Sequence, residues 1–113
     1  MTRRYRLIIV NNLKDINQIV NNEIEILGNI IFIKPLHRKN NRYIIEITYS
    51  EDEINTETKY HLIYSKNIEK IEDKINQSFE DHSSYIIKTH RDMKYKLGYY
   101  YTEIIYQKQL DIV

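Results

Sequence analysis

The chain of 113 residues contains no cysteine, no tryptophan and no alanine, and only one proline and two glycines. Without cysteine there is no disulfide, no thiolate metal ligand and no cysteine nucleophile. Two glycines cannot build a glycine-rich phosphate loop, because such loops need several residues at positive φ. No apolar run approaches the ~18 residues that span a bilayer, and no small-residue cleavage site follows the N-terminal MTRRYRLIIVNN. We therefore expect a cytoplasmic protein that has no membrane segment and needs no cofactor.

The residues that are abundant point to a folded domain rich in sheet. The composition is 42% hydrophobic and 29% charged, which is typical of a globular protein. Isoleucine and the 11 tyrosines supply most of the apolar surface, and both residue types favour strands. The many Ile, Asn, Lys and Tyr codons are AT-rich, which indicates a low-GC bacterium or one of its phages as the source.

A pattern near the N-terminus returns in the second half of the chain. Residues 4–31 aligned with residues 59–86 share eight identical positions, where this composition would give about three by chance. The apolar positions of one helix face also coincide, at Leu13, Ile16 and Val20 against Ile68, Ile71 and Ile75. The shift then grows from 55 to 57, and the strand RYIIEITYS matches YYYTEIIYQ. We expect the two extra residues in the loop before that last strand.

These matches predict a tandem duplication of a βαββ unit and an α+β fold. Each unit is a three-stranded sheet with one covering helix, and the two units pack as an intrachain pseudo-dimer, which we expect around a twofold axis. The first unit covers residues 1–50, an acidic linker covers 51–58, and the second unit covers 59–113. The predicted strands are 4–10, 29–36 and 42–50 and then 59–65, 84–90 and 99–107, with helices at 13–27 and 68–81.

The second unit resembles the small sporulation-associated Cse-type proteins of Bacillus and their phage relatives. The similar segments are its opening strand, the helix IEKIEDKINQSF and the closing strand YYYTEIIYQK, about 50 residues in all. This chain departs from that pattern by carrying two units. The resemblance implies a small α+β fold and oligomerisation. It implies no chemistry, so it assigns no catalytic residue.

Positive charge is concentrated in two segments that the repeat relates. KPLHRKNNR at 34–42 carries a charge of +4 and KTHRDMKYK at 88–96 a charge of +3, so the rest of the +1 chain sums to −6. Arginine grips phosphate with a planar fork, and lysine or protonated histidine adds charge. The leading hypothesis is a non-enzymatic protein that holds or sequesters a small phosphorylated or nucleotide-like anion. Its predicted contacts are Lys34, His37, Arg38, Lys39, Arg42, Lys88, His90, Arg91 and Lys94.

Two other functions are compatible with the sequence. One is a protein-interaction module that inhibits or regulates a host protein through tyrosines of the last strands: Tyr43, Tyr49, Tyr100 and Tyr106. The other is a small nuclease or cyclic-nucleotide-cleaving enzyme with His37 and His90 as acid and base. Separately, we expect self-association, because exposed Tyr- and Ile-rich strand faces need cover. The near-neutral net charge argues against tight nonspecific binding of duplex DNA.

The remaining polar residues are expected to be structural. Glu46 and Glu103 occupy equivalent strand positions and are predicted to be solvated. His61 lies in a strand and His82 ends a helix, where neither forms part of a catalytic constellation. No set of histidine, aspartate and glutamate has the spacing of a zinc site, so no metal is expected.

Overall fold

Two antiparallel sheets, each covered by one helix, make up the protein. The computed structural model describes residues 2–52 and 54–110. The elements in chain order are β1 (Arg3–Val10), a 3₁₀ turn (Leu13–Asp15), α1 (Ile16–Ile26), β2 (Asn29–Ile33), β3 (His37–Lys39), β4 (Arg42–Ser50), β5 (Thr56–Ser65), α2 (Glu69–Asp81), β6 (Ile86–His90), β7 (Lys94–Lys96) and β8 (Tyr99–Gln109). The α+β class and the two repeated units are confirmed.

Each sheet has three long strands and one short strand. Sheet 1 has the order β1-β4-β2 with β3 also on β4, and sheet 2 has the order β5-β8-β6 with β7 also on β8. The short strands β3 and β7 were not predicted as separate elements. Within the described ranges, no helix is both long and apolar enough to cross a membrane.

The strand pairing fixes which residues of the two units are equivalent. Arg3 pairs with Ser50, and Thr58 pairs with Gln107, so β1 and β5 correspond at a shift of 55 and β4 and β8 at a shift of 57. Asn29 pairs with Ser50 as Ile86 pairs with Gln107, so the shift is already 57 at β2 and β6. The two extra residues therefore lie between helix and strand, in 82–85 against 27–28, and the prediction that they precede the last strand was wrong.

Matching irregularities support the duplication independently of residue identity. Both units carry a register shift at the same place, between Ile30 and Phe32 and between Ile87 and Thr89. Both close the last hairpin with a two-residue turn whose residues have positive φ. These turns are Asn40–Asn41 (φ 53° and 62°) and Leu97–Gly98 (φ 56° and 83°). Positive φ at both positions is the type I′ geometry that suits the twist of a tight hairpin.

The periodicity of the helices explains their placement. In α1, Ile16, Val20 and Ile24 recur every four residues and are buried. They form one core with the inner side chains of sheet 1, such as Ile45 and Ile47. A smaller core lies between α2 and sheet 2.

The two units pack head to tail. The larger core continues from the α1 side of unit 1 into the face of sheet 2 that carries Tyr60, Leu62 and Ile105. The opposite face of sheet 2, with Ile63, lies against its own helix. Strand β5 packs on both α1 and α2, whereas in the described ranges α2 makes no comparable contact with β1. The twofold arrangement that we expected is therefore replaced by one in which different surfaces of the two units meet.

Asparagine side chains of α1 complete the outer edge of β5. The Asn17 amide accepts from the Leu62 N–H at 2.6 Å and donates to the Leu62 carbonyl at 3.0 Å. Asn21 makes the same pair of bonds with the backbone of Tyr60, at 2.9 and 2.8 Å. Residues four apart on a helix and two apart on a strand have nearly equal rise, so the two amides match alternate residues of β5.

Candidate functional site

The two basic segments meet at one cleft between the hairpins β3–β4 and β7–β8. The volume between them is about 360 Å³ including the open mouth. The lining residues are Leu13, Leu36, His37, Arg38 and Tyr43 from unit 1 and Lys96, Leu97, Tyr99 and Tyr101 from unit 2. Each hairpin thus contributes a cation and at least one tyrosine ring to the same cleft.

Arg38 is the most constrained cation of this cleft. Its guanidinium carbon lies 5.6 Å from the ring centroid of Tyr43, a cation–π distance. Its Nε is buried and has no hydrogen-bond partner. A buried donor without a partner is costly, and a bound anion would satisfy it. His37 and Lys96 are exposed at the mouth.

The interior of the cleft is narrow. The space open to the centre of a water-sized molecule is about 20 Å³, which holds about one water. A larger ligand must lie across the mouth or displace the turn at Leu97. Leu97 adopts φ 56°, a region that costs a residue with a side chain about 1–2 kcal/mol.

Arg91 is used inside the protein. Its guanidinium donates to the carbonyls of Ile33 and Lys34 across the boundary between units. It also lies 3.2 Å from the Glu103 carboxylate, and its side chain is only 13% exposed. Arg91 is therefore placed to join the two units rather than to face a ligand.

Glu103 is the centre of this junction. It is 3% exposed and accepts from the Leu36 N–H at 3.0 Å and from the Tyr60 hydroxyl at 2.7 Å. Burial, and then the neighbouring Glu103 carboxylate, raise the pKa of Tyr60 well above its ordinary value. The expectation that Glu103 is solvated was wrong, because the packing of unit 1 on sheet 2 covers it. Its counterpart Glu46 keeps 22% of its side chain exposed.

The other predicted contacts are distributed outside the cleft. Lys39 and Arg42 are exposed opposite each other on the first hairpin, and Lys94 is exposed on the second. Lys34 lies 3.9 Å from Glu46, and Lys88 donates to the Ile31 carbonyl. None of these five side chains lines the cleft.

The two His-Arg pairs are not equivalent in the fold. Lys34 and Arg91 both donate a backbone N–H to the carbonyl of the matching glutamate, Glu46 or Glu103, which makes them counterparts. His90 ends β6 and packs edge-on to Phe79 at 6.0 Å, whereas His37 is on the cleft. The repeat of the dipeptide in the sequence therefore does not correspond to a repeat in position.

The tyrosines of the interface hypothesis lie mainly on the helix-covered faces. Tyr49 and Tyr106 are buried in the two cores, at 9% and 1% exposure. Tyr43 and Tyr100 are half-buried, so these two retain surface that a partner can reach. Tyr43 is the member of this set that lines the cleft.

A hydrogen-bonded cluster under α2 was not anticipated from the sequence. The His61 Nδ1 lies 2.5 Å from the Ser78 hydroxyl, which lies 2.6 Å from the Tyr106 hydroxyl. The His82 ring stacks on Tyr106 with centroids 4.1 Å apart. Ser78 is buried, which makes this cluster a packed polar core rather than an exposed nucleophile.

This cluster predicts that stability falls in mild acid. Burial, and then the nearby His82, lower the pKa of His61 below 6.5. On acidification the unfolded chain binds a proton at a higher pH than the folded chain does. The contribution of neutral His61 to the free energy of unfolding is therefore fully present above pH 6.5 and is lost as the pH falls through the pKa of the folded state. We expect a lower Tm at pH 5.5 than at pH 7.5, and a smaller difference in His61→Gln. An equal pH dependence in the variant would assign the effect to other groups.

Comparisons with known proteins return no relative for this chain: no family model, no curated protein and no solved structure matches it. In the described residues, no group of three or more His, Cys, Asp or Glu side chains is arranged to hold a metal ion.

Proposed function

We propose that the protein is a binding protein for a small phosphorylated anion, held in the cleft between the β3–β4 and β7–β8 hairpins. The observation that supports this most is the approach of Arg38 from one hairpin and Lys96 from the other to a single cleft. Cations on two elements around one concave site favour a compact anion, since both charges act on the same group. The buried Nε of Arg38 supplies a donor that lacks a partner inside the protein.

The rings beside these cations favour a ligand with a flat apolar part. Tyr43, Tyr99 and Tyr101 line the same cleft and offer surfaces on which a nucleobase stacks. A mono- or cyclic nucleotide combines a phosphate with such a base. Held without conversion, it would be sequestered from other proteins, a role that also suits a phage protein.

The acid–base alternative receives less support. His37 is on the cleft, but His90 packs against Phe79 and is not among the cleft residues. A general acid and base must both reach the same substrate. Binding without cleavage is the function that this arrangement favours.

The test is a thermal-shift and calorimetric titration with phosphate, mono-, di- and cyclic nucleotides and sugar phosphates. A ligand at 100 times its Kd raises the free energy of unfolding by about 2.7 kcal/mol. We expect Arg38→Ala and Lys96→Ala to remove most of this shift. Arg42→Ala and Lys94→Ala are matched controls that remove the same charge from the same hairpins outside the cleft. Equal losses in all four variants, or no stabilising ligand, would contradict the proposal.

A further inference from the structure

The outer face of sheet 1 is apolar and largely exposed, although the Arg91 guanidinium lies 5.9 Å from the centroid of the Phe32 ring. Tyr5, Leu7 and Ile9 of β1 and Phe32 of β2 are 46–57% exposed. The counterparts of the three β1 residues in sheet 2 are Tyr60, Leu62 and Tyr64, which lie against unit 1. Sheet 1 therefore exposes to solvent the face whose counterpart in sheet 2 is packed against unit 1.

Apolar side chains beside α2 also lack a covering element. Ile68, Ile71, Ile75 and Met93 line an open groove of about 520 Å³ including its mouth, on the side of α2 opposite the one that faces Asn17 of unit 1. Their counterparts in unit 1 are Leu13, Ile16, Val20 and Leu36, which belong to the core shared with sheet 2. The contrast is largest between Met93, at 45% exposure, and Leu36, at 6%. The groove therefore corresponds, in unit 2, to the α1 surface on which sheet 2 packs.

We propose that a second copy of the chain occupies this groove, with the outer face of its sheet 1 packed on α2 as sheet 2 packs on α1. The two surfaces are different parts of the molecule, so the contact is heterologous and leaves one groove and one sheet face free at the ends. It repeats between chains the contact that already exists within each chain. This inference does not depend on the proposed ligand.

Two polar pairs of the contact between α1 and β5 have counterparts of the same type on α2 and β1. Inside the chain, Lys59 of β5 lies 3.8 Å from Glu25 of α1. The counterparts are Arg4 and Glu80, which have the same charges. Asn76 is the counterpart of Asn21 and is exposed on α2, where it can pair with the backbone of Tyr5 at the edge of β1.

The buried carboxylate of Glu103 also has a counterpart on sheet 1, Glu46, which is held by similar partners. Glu46 accepts from the Tyr5 hydroxyl at 2.7 Å and lies 3.9 Å from the Lys34 ammonium, as Glu103 is held by Tyr60 and Arg91. What Glu103 has in addition is the N–H of Leu36 from the other unit. Met93 is the counterpart of Leu36, so in the proposed complex the backbone N–H of Met93 donates to Glu46 of the next copy.

One replacement makes the contact between copies weaker than the internal one. Asn17 both donates to and accepts from the backbone of Leu62, whereas its counterpart in α2 is Glu72. A carboxylate accepts the N–H of Leu7 but cannot donate to its carbonyl. Lys94 of one copy would also approach Lys39 and Arg42 of the next. These differences predict reversible association that is favoured by moderate salt.

The experiment measures the mass of the full chain against concentration, by light scattering and sedimentation, at moderate salt. We expect species heavier than 13.8 kDa to increase with concentration. Leu7→Asp removes the sheet face, and Met93→Asp places a carboxylate against Glu46, so each variant alone should be monomeric. Ile26→Lys, on an exposed position of α1, is the control and should associate as the wild type does.

Mixing the two variants distinguishes a heterologous contact from a symmetric one. Leu7→Asp keeps an intact groove and Met93→Asp keeps an intact sheet face, so the mixture should form a one-to-one complex that grows no further. The double variant should stay monomeric in every mixture. A wild type that remains at 13.8 kDa at all concentrations, or a mixture without a complex, would overturn the proposal and leave the two faces to a different protein. Circular dichroism of each variant confirms that it is folded.

Discussion

Glu103→Gln should lower the free energy of unfolding by about 3–5 kcal/mol, the loss expected when one member of a buried ion pair is removed. The side chain keeps its shape, but Arg91 then retains a buried charge without a counterion at 3.2 Å. The amide has one acceptor oxygen where the carboxylate has two, so its NH2 group must face either the Leu36 N–H or the Tyr60 hydroxyl and Arg91, which are donors. Urea denaturation measures the change, and the Tm should fall by more than about 12 °C.

Glu46→Gln is the matched control, because Glu46 has the same position in unit 1 and a hydrogen bond to Tyr5. Its side chain is partly exposed, at 22% against 4% for Glu103, so the same substitution should cost less, about 1 kcal/mol, in the monomer. Equal losses at the two positions would show that the environment of Glu103 does not differ as the contacts indicate. A large loss in Glu46→Gln alone would contradict the assignment of the junction to Glu103.

The double variant Asn17→Ala, Asn21→Ala should be destabilised by about 2–4 kcal/mol. It removes the four hydrogen bonds from α1 to β5 and leaves the edge groups of Tyr60 and Leu62 without partners beneath the helix. Alanine's better helix propensity offsets part of this loss, by about 0.5 kcal/mol at each site. Urea denaturation at neutral pH measures the difference from the wild type.

Asn22→Ala tests the same chemical change on the neighbouring exposed position of α1. It should be neutral or slightly stabilising, because it gains helix propensity and loses no bond to β5. Amide hydrogen exchange adds a local measurement: Tyr60 and Leu62 should exchange faster in the double variant and normally in the control. Unchanged protection there would contradict the role of the two asparagines.

The elements of this fold could be predicted from local periodicity. The recurrence of Ile16, Val20 and Ile24 requires a helix with one apolar face, and the alternation in the last strands requires a sheet. The position of the insertion could not be predicted in the same way. Ile31 and Ile86 match by chance in a chain rich in isoleucine, although Ile86 pairs as Asn29 does. Only hydrogen-bond register separates the two alignments.

The sequence predicted the basic residues of the candidate site but not which of them meet in one cleft. The charges of the two hairpins are visible in the sequence, but the choice of Arg38 and Lys96 depends on how the units pack. The same is true of the paired glutamates, which are identical in sequence and differ in burial because only one sheet face is covered. A signal for the packing was present in Asn17 and Asn21, two amides four residues apart on the polar side of a helix.

The short connection from Ser50 to Thr56 has a consequence for the behaviour of the whole chain. It ties two units together, so their mutual contact forms at a high effective concentration, which is on the order of millimolar for short flexible tethers. That contact is permanent whatever the amount of protein. The proposed contact between copies has no such tether, so its population would depend on the concentration of the protein, whereas the contact within each chain would not.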